Sequence, residues 1–112
     1  MEITFGTSKL KKEVNDDKLR IRRYGPRRAA LIQRRLDDLR GAEVLEDIRH
    51  LSGHRCHELT GDRDGQLSVD MDHPYRLLFE PANEPCPLKI DGGLDWSEVT
   101  AVRILEVADT HG

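Results

Sequence analysis

The chain is short of cysteine and has no long apolar run, and both absences narrow what it can be. Cys56 and Cys86 are the two cysteines among 112 residues, too few for the disulfide framework of a small exported domain. The opening segment, MEITFGTSKLKKE, has no apolar stretch or small-residue cleavage site of an export signal. No run approaches the length of a membrane span. We therefore expect a cytoplasmic protein with reduced thiols and no membrane contact.

A large net charge is also missing, but the charge is unevenly distributed. The formal net charge is −3, whereas residues 1–40 hold 12 lysines and arginines against 6 acids, a balance of +6. Residues 41–112 have a balance of −9. A basic half can still contact phosphate, because the local field steers binding. We expect Arg27, Arg28, Arg34 and Arg35 to form a solvated helix face, with ribosomal RNA contact as the alternative.

The first half of the chain has helical periodicity, and its length allows one domain over residues 1–112. Ile3 and Phe5 alternate with polar residues, which predicts a short first strand. Helical segments over 8–14 and up to Tyr24 are separated by Asn15-Asp16-Asp17, whose side chains suit a cap. Gly25 suits the end of a helix and Pro26 the start of the next. That next helix, 26–40, has Ala29, Ile32, Leu36 and Leu39 at helical spacing, and a shorter helix is predicted over 42–49.

After residue 53 the period changes to two, which predicts strands. A hairpin over 67–79 that pairs 69 with 77 and 67 with 79 places both apolar rows on one face. A turn at 61–65 joins this hairpin to an earlier strand at 56–60. A proline-rich loop over 81–97 precedes a central strand at 99–107. The predicted fold class is α+β, with an antiparallel sheet of four to five strands.

Three segments of the second half read CHELTGDRDGQLSVDM, HPYRLLFEP and DGGLDWSEVTAVRILE, and the last continues into ILEVADTHG. In their order and spacing they resemble the HigB-like (plasmid-maintenance killer protein) branch of the RelE/ParE toxin superfamily. In that group a histidine is followed two residues later by leucine, then by Gly-Asp-Arg and a strand. A strand with an inward arginine comes next, and the chain ends in Asp-Tyr-His. The resemblance runs over nearly the full length.

The resemblance implies N-terminal helices packed on one face of a twisted antiparallel sheet, with a concave RNA site on the other. It implies a type II toxin that cleaves messenger RNA in the ribosomal A site without a metal or other cofactor. Its expected partners are the ribosome, messenger RNA and a HigA-type helix-turn-helix antitoxin.

The resemblance also assigns site residues. The matching positions are His57, Arg63, Arg76, Asp109 and His111. Two expected RNA-binding positions depart from the family, because Thr110 replaces a tyrosine and Thr60 replaces a lysine that often precedes the glycine. These replacements remove a stacking surface and a positive charge.

Cleavage at the 2′-hydroxyl needs a base, an acid and a stabiliser of the phosphorane charge. His57 and His111 would supply the base and the acid, since histidine titrates near neutrality. Arg76 and Arg63 would hold the phosphate, and Asp109 would orient a histidine. The expected product is a 2′,3′-cyclic phosphate.

Each site residue also has an ordinary structural interpretation. Arg76 faces Asp70 across the predicted hairpin, where a cross-strand ion pair is as reasonable as phosphate binding. His57 shares strand parity with an apolar neighbour and is equally a candidate core histidine. His111 would be part of a frayed tail, and Arg63 a solvated turn residue.

The sequence is also compatible with other functions. His50, His54, Cys56 and His57 invite a zinc interpretation, but their spacing matches no closed structural site, so we predict no metal. A ParE-like gyrase inhibitor would share the fold, although that class lacks a histidine-centred site. A catalytically weakened binding module is favoured by Thr60, Thr110 and the acidic second half.

Overall fold

The computed structural model describes residues 1–109, in which the helices precede all but one strand of the sheet. The elements are β1 (Glu2–Phe5), α1 (Ser8–Asn15), α2 (Asp17–Tyr24), α3 (Pro26–Gly41), α4 (Glu46–Arg49), β2 (His57–Glu58), β3 (Leu67–Asp70), β4 (Tyr75–Pro81) and β5 (Ala101–Asp109). Short 3₁₀ turns occupy Gly61–Arg63 and Trp96–Glu98. Within the described part of the chain, none of the helices has the length and apolar character needed to cross a bilayer.

The five strands form one sheet in the order β1-β5-β4-β3-β2. The pairs between β2, β3, β4 and β5 are antiparallel, as predicted, whereas β1 runs parallel to β5. A parallel pair needs a long crossover between its strands, and here that connection contains the helices and three other strands. The α+β class is confirmed, with a mixed rather than purely antiparallel sheet.

The predicted register of the β3–β4 hairpin is confirmed. Val69 pairs with Leu77 and Leu67 pairs with Phe79, and each of these four side chains is at most 1% exposed. They join α1, α3 and α4 in a single apolar core. The hairpin therefore turns its apolar row toward the helices and its polar row away from them.

The helix boundaries follow from the local residues. The Asp16 carboxylate accepts a hydrogen bond from Leu19 N at 3.0 Å and begins α2. Gly25 has a φ of 80°, and Pro26 occupies the first turn of α3. The apolar face predicted for this helix is buried, since Ala29, Ile32, Leu36 and Leu39 are at most 2% exposed.

Two predicted elements are shorter than the periodicity suggested. The helix predicted over 42–49 spans only Glu46–Arg49, because the Asp47 carboxylate accepts from the backbone N–H groups of residues 43 and 44 and holds them outside it. The strand predicted over 56–60 spans only His57–Glu58. The backbone carbonyl of Thr60 accepts a hydrogen bond from Arg63 N at 3.3 Å, and this bond begins a 3₁₀ turn in place of further strand.

Two of the four arginines expected on a solvated helix face fasten α3 to the hairpin instead. Arg28 makes a bidentate ion pair with Asp72, with Nε–Oδ1 at 3.1 Å and Nη2–Oδ2 at 2.9 Å. Its guanidinium also lies 3.6 Å from the centroid of the Tyr75 ring. Arg35 Nε donates to the backbone carbonyl of Asp70 at 2.7 Å. The other two, Arg27 and Arg34, are exposed as expected.

Replacing Arg28 with alanine should lower the free energy of unfolding by about 1–3 kcal/mol, because a forked, partly buried ion pair and a cation–π contact are lost together. Urea unfolding followed by circular dichroism measures this. Arg27→Ala, one residue earlier on the exposed side, is the matched control and should change stability by less than about 0.5 kcal/mol. Equal effects of the two variants would show that the contacts of Arg28 with Asp72 and Tyr75 contribute nothing to stability.

Candidate functional site

The sheet face opposite the helices carries a row of aligned side chains. The strand register places His57 beside Ser68, Ser68 beside Leu78, and Leu78 beside Glu106. The next row on the same face pairs Asp70 with Arg76. We call this surface the open face and define it by His57, Ser68, Asp70, Arg76, Leu78 and Glu106.

His57 and Arg76 meet on the open face although 18 residues separate them in the chain. Arg76 Nη1 lies 3.3 Å from His57 Nε2, and His57 is exposed. The interpretation of His57 as a core histidine is therefore wrong. That interpretation came from the alternation of His57 with its apolar neighbour along the strand. Alternation alone does not show which face of the sheet each residue is on, and only the pairing of β2 with β3 decides this.

The hydrogen bonds of His57 determine which of its nitrogens acts as an acceptor. Nδ1 lies 2.9 Å from the backbone carbonyl of Arg55. Because a carbonyl only accepts and a guanidinium only donates, Nδ1 carries the proton and Nε2 presents its lone pair to Arg76. A neutral imidazole with its lone pair directed over the open face is the form that a general base requires.

Arg76 also makes the cross-strand ion pair predicted from the hairpin register. Its Nε lies 3.2 Å from Asp70 Oδ1, and both side chains are about three-quarters buried. Arg55 approaches the other oxygen of Asp70 at 3.7 Å. The structural and chemical interpretations of Arg76 are therefore compatible, because one guanidinium contacts a carboxylate and a histidine together.

Arg63 reaches the same face from the 3₁₀ turn. Its Nη1 lies 2.9 Å from Glu106 Oε1 on β5, so it is paired rather than simply solvated. Sequence reasoning missed Glu106. A register irregularity between Leu78 and Phe79 shifts β5 relative to β4, and alternation counted along β5 alone does not reveal which residue faces Arg63.

Two more of the predicted site residues, Thr60 and Asp109, lie in the described part of the chain. Thr60 is exposed and precedes the 3₁₀ turn that carries Arg63. Asp109 ends β5 in register with Tyr75, one residue beyond the partner of Arg76. Strand alternation gives Asp109 the parity of Val107, which packs on the core side. Thr110 and His111 lie outside the described residues.

The short strand β2 is held in place from the core side. Glu58 Oε2 accepts a hydrogen bond from Trp96 Nε1 at 3.1 Å, and the Arg49 guanidinium lies 3.9 Å from the centroid of the Trp96 ring. Trp96 is 6% exposed and is therefore a buried anchor. This anchor keeps His57, the neighbour of Glu58, against β3.

A pocket of about 260 Å³ adjoins the Arg76 end of the open face and is lined by Arg55, Asp70, Tyr75 and Arg76 among others. Guanidinium groups beside an aromatic ring suit a phosphate and an unstacked base. Another cavity, of about 350 Å³, is lined by Glu58, Asp64 and Glu80. Its carboxylates would repel phosphate, so the smaller pocket fits a nucleic acid better.

The histidine and cysteine cluster considered for zinc is dispersed. Across residues 1–109, no three His, Cys, Asp or Glu side chains are grouped closely enough to hold a metal ion. His54 is buried, and its Nε2 lies 2.7 Å from Asp38 Oδ2. Burial raises the pKa of the Cys56 thiol to about 12, which disfavours the thiolate that a metal would need.

Comparison with protein-family models and with curated proteins finds no match for this chain. Function is therefore inferred from the geometry of the open face.

The two cysteines should differ strongly in reactivity. Burial raises the pKa of Cys56 from 9.0 to about 12, which lowers its thiolate fraction about 1,000-fold below that of an ordinary thiol at pH 8. Cys86 is exposed. We expect iodoacetamide to modify Cys86 at least about 100-fold faster than Cys56. Mass spectrometry of the Cys56→Ser and Cys86→Ser variants measures each rate separately, and similar rates would contradict the burial of Cys56.

Proposed function

We propose that the chain is a HigB-like toxin of a type II toxin–antitoxin system that cleaves messenger RNA on the ribosome. The observation that carries the proposal is the 3.3 Å contact between His57 Nε2 and Arg76 Nη1 on the helix-free face of the sheet. A neutral histidine lone pair beside an arginine fork is the pair of groups that metal-independent RNA cleavage needs at the 2′-oxygen and the phosphate.

The proposed reaction uses these contacts. In the free protein Arg76 donates toward His57, and an arriving phosphate offers its guanidinium a better, charged acceptor. His57 Nε2 is then released to take the proton of the 2′-hydroxyl. The 2′-oxygen attacks phosphorus, and the 5′-oxygen leaves with a proton that we assign to His111. The products are a 2′,3′-cyclic phosphate and a 5′-hydroxyl end.

The basic half of the chain supports a large polyanionic partner. Several cations of α1, α2 and α3 are exposed, namely Lys9, Lys11, Lys12, Lys18, Arg22, Arg27 and Arg34. Such a surface would draw the protein to ribosomal RNA from a distance. The proposal includes a HigA-type antitoxin as inhibitor, a cytoplasmic location, and Thr60 and Thr110 as RNA contacts in place of the lysine and tyrosine of the family.

A non-catalytic binding module is the second candidate. It is favoured by the carboxylates that already occupy both site arginines, Glu106 on Arg63 and Asp70 on Arg76. Such a module would bind the ribosome or an antitoxin without cutting. Expression without the antitoxin should arrest growth if the toxin is active, and primer extension on a translated message should then show cuts in the A site.

Replacing His57 or Arg76 with alanine should each lower ribosome-dependent cleavage by about 10²–10⁴-fold, because each removes one acid–base or charge-stabilising group. Primer extension in a purified translation system measures the rate. His50→Ala is the matched control, since His50 is exposed, follows α4 and lies away from the open face. Thermal unfolding checks that each variant is folded, and cleavage left intact in both site variants would rule out this site.

A further inference from the structure

Both site arginines of the open face are already engaged by carboxylates. Arg63 Nη1 lies 2.9 Å from Glu106 Oε1, and Arg76 Nε lies 3.2 Å from Asp70 Oδ1. The oxygens of an RNA phosphate would seek the same donors. Binding of RNA to this face is therefore an exchange of one anion for another, with a carboxylate left beside the incoming phosphate.

We propose that Glu106 is a specificity-determining residue that competes with RNA phosphate for Arg63, so that free RNA binds the site less readily than RNA held by the ribosome. This inference rests on the proposed function and deepens it. It gives a physical reason for a ribosome requirement, namely that the protein carries its own competitor for phosphate.

Glu106 suits this role better than Asp70 does. The side chains of Arg63 and Glu106 are 39% and 50% exposed, so their ion pair can separate without disturbing the packing of the fold. An exposed ion pair is also weak. Asp70 is more buried, lies close to Arg55 as well as Arg76, and belongs to the hairpin. Displacing Asp70 would disturb the sheet, whereas displacing Glu106 moves one side chain.

Two magnitudes decide whether Glu106 can discriminate between free RNA and RNA on the ribosome. They are the loss of RNA affinity that it causes and the gain in effective RNA concentration on the ribosome. Loss of an exposed pair together with repulsion from the freed carboxylate would weaken RNA binding by about 3- to 10-fold. Free messenger RNA at micromolar concentration is not concentrated enough to offset this loss of affinity. A strand held at the site by the ribosome has an effective concentration near the millimolar range, about 1,000-fold higher, and remains bound.

The test is the Glu106→Gln variant, which keeps the shape of the side chain and removes its charge. Fluorescence anisotropy with a single-stranded 2′-O-methyl RNA, which cannot be cleaved at the 2′-oxygen, measures binding without ribosomes. We expect binding about 3- to 10-fold tighter at low salt, and a dependence of log affinity on log salt that is steeper by about 0.7 because one more cation is available. Cleavage of free RNA should rise by a larger factor than ribosome-dependent cleavage does.

The matched control is Glu46→Gln, because Glu46 forms a similar ion pair with Arg49 at 2.6 Å on α4. It makes the same change in net charge away from the open face and should leave RNA affinity nearly unchanged. An equal tightening in this variant would assign the effect to net charge and overturn the proposal. Weaker binding in Glu106→Gln would also overturn it, and would make Glu106 a residue that positions Arg63.

The two proposals fail in distinguishable ways. If His57→Ala loses ribosome-dependent cleavage while Glu106→Gln binds RNA like the wild type, the role of Glu106 is wrong and the proposed nuclease stands. If His57→Ala and Arg76→Ala both cleave normally, the proposed function itself is wrong.

Discussion

The pairing of β3 with β4 is the constraint on which the rest of the structure depends. Because side chains alternate along a strand, setting Val69 opposite Leu77 sends the apolar residues of the hairpin to the core and leaves Asp70 and Arg76 on the other side. A slip of one residue would expose the apolar row and bury both charges. The separate pairing of β4 with β5 places Glu106 beside Leu78. Burial of the hairpin's apolar row and the placement of Asp70 and Arg76 on the open face are therefore consequences of one alignment.

Local pattern was sufficient for elements whose determinants are neighbours in the chain. The apolar spacing of α3, the boundary at Gly25-Pro26 and the hairpin register each depend on residues close in sequence, and the structure confirms them. The parallel partner of β1 was out of reach because it is set by where β5 returns, about 100 residues later. The helical period likewise predicted a polar face containing Arg28 but not what that face would meet, since Asp72 and Tyr75 approach it only in three dimensions.

The candidate site shows the same limit more sharply. The resemblance indicated His57 and Arg76, but only the pairing of β2 with β3 brings them within 3.3 Å. No pattern indicated Glu106, because its alignment depends on the irregularity between β4 and β5 and its partner Arg63 lies in a turn. The assignments to Thr110 and His111 remain predictions, since they fall outside the described residues.

The ionic layer of the open face has a structural consequence besides its proposed chemistry. Ser68 and Leu78 are fully buried on this face, although the helices pack against the opposite one and Leu78 is not part of the main core. The polar side chains around them are then what keeps water away. Removing Arg63 would therefore take away the proposed hydrogen-bond donor to phosphate and part of this cover together, and lost activity would not separate the two effects. Substituting Glu106 does separate them, because glutamine keeps the volume and changes only the charge that we propose as the competitor of phosphate.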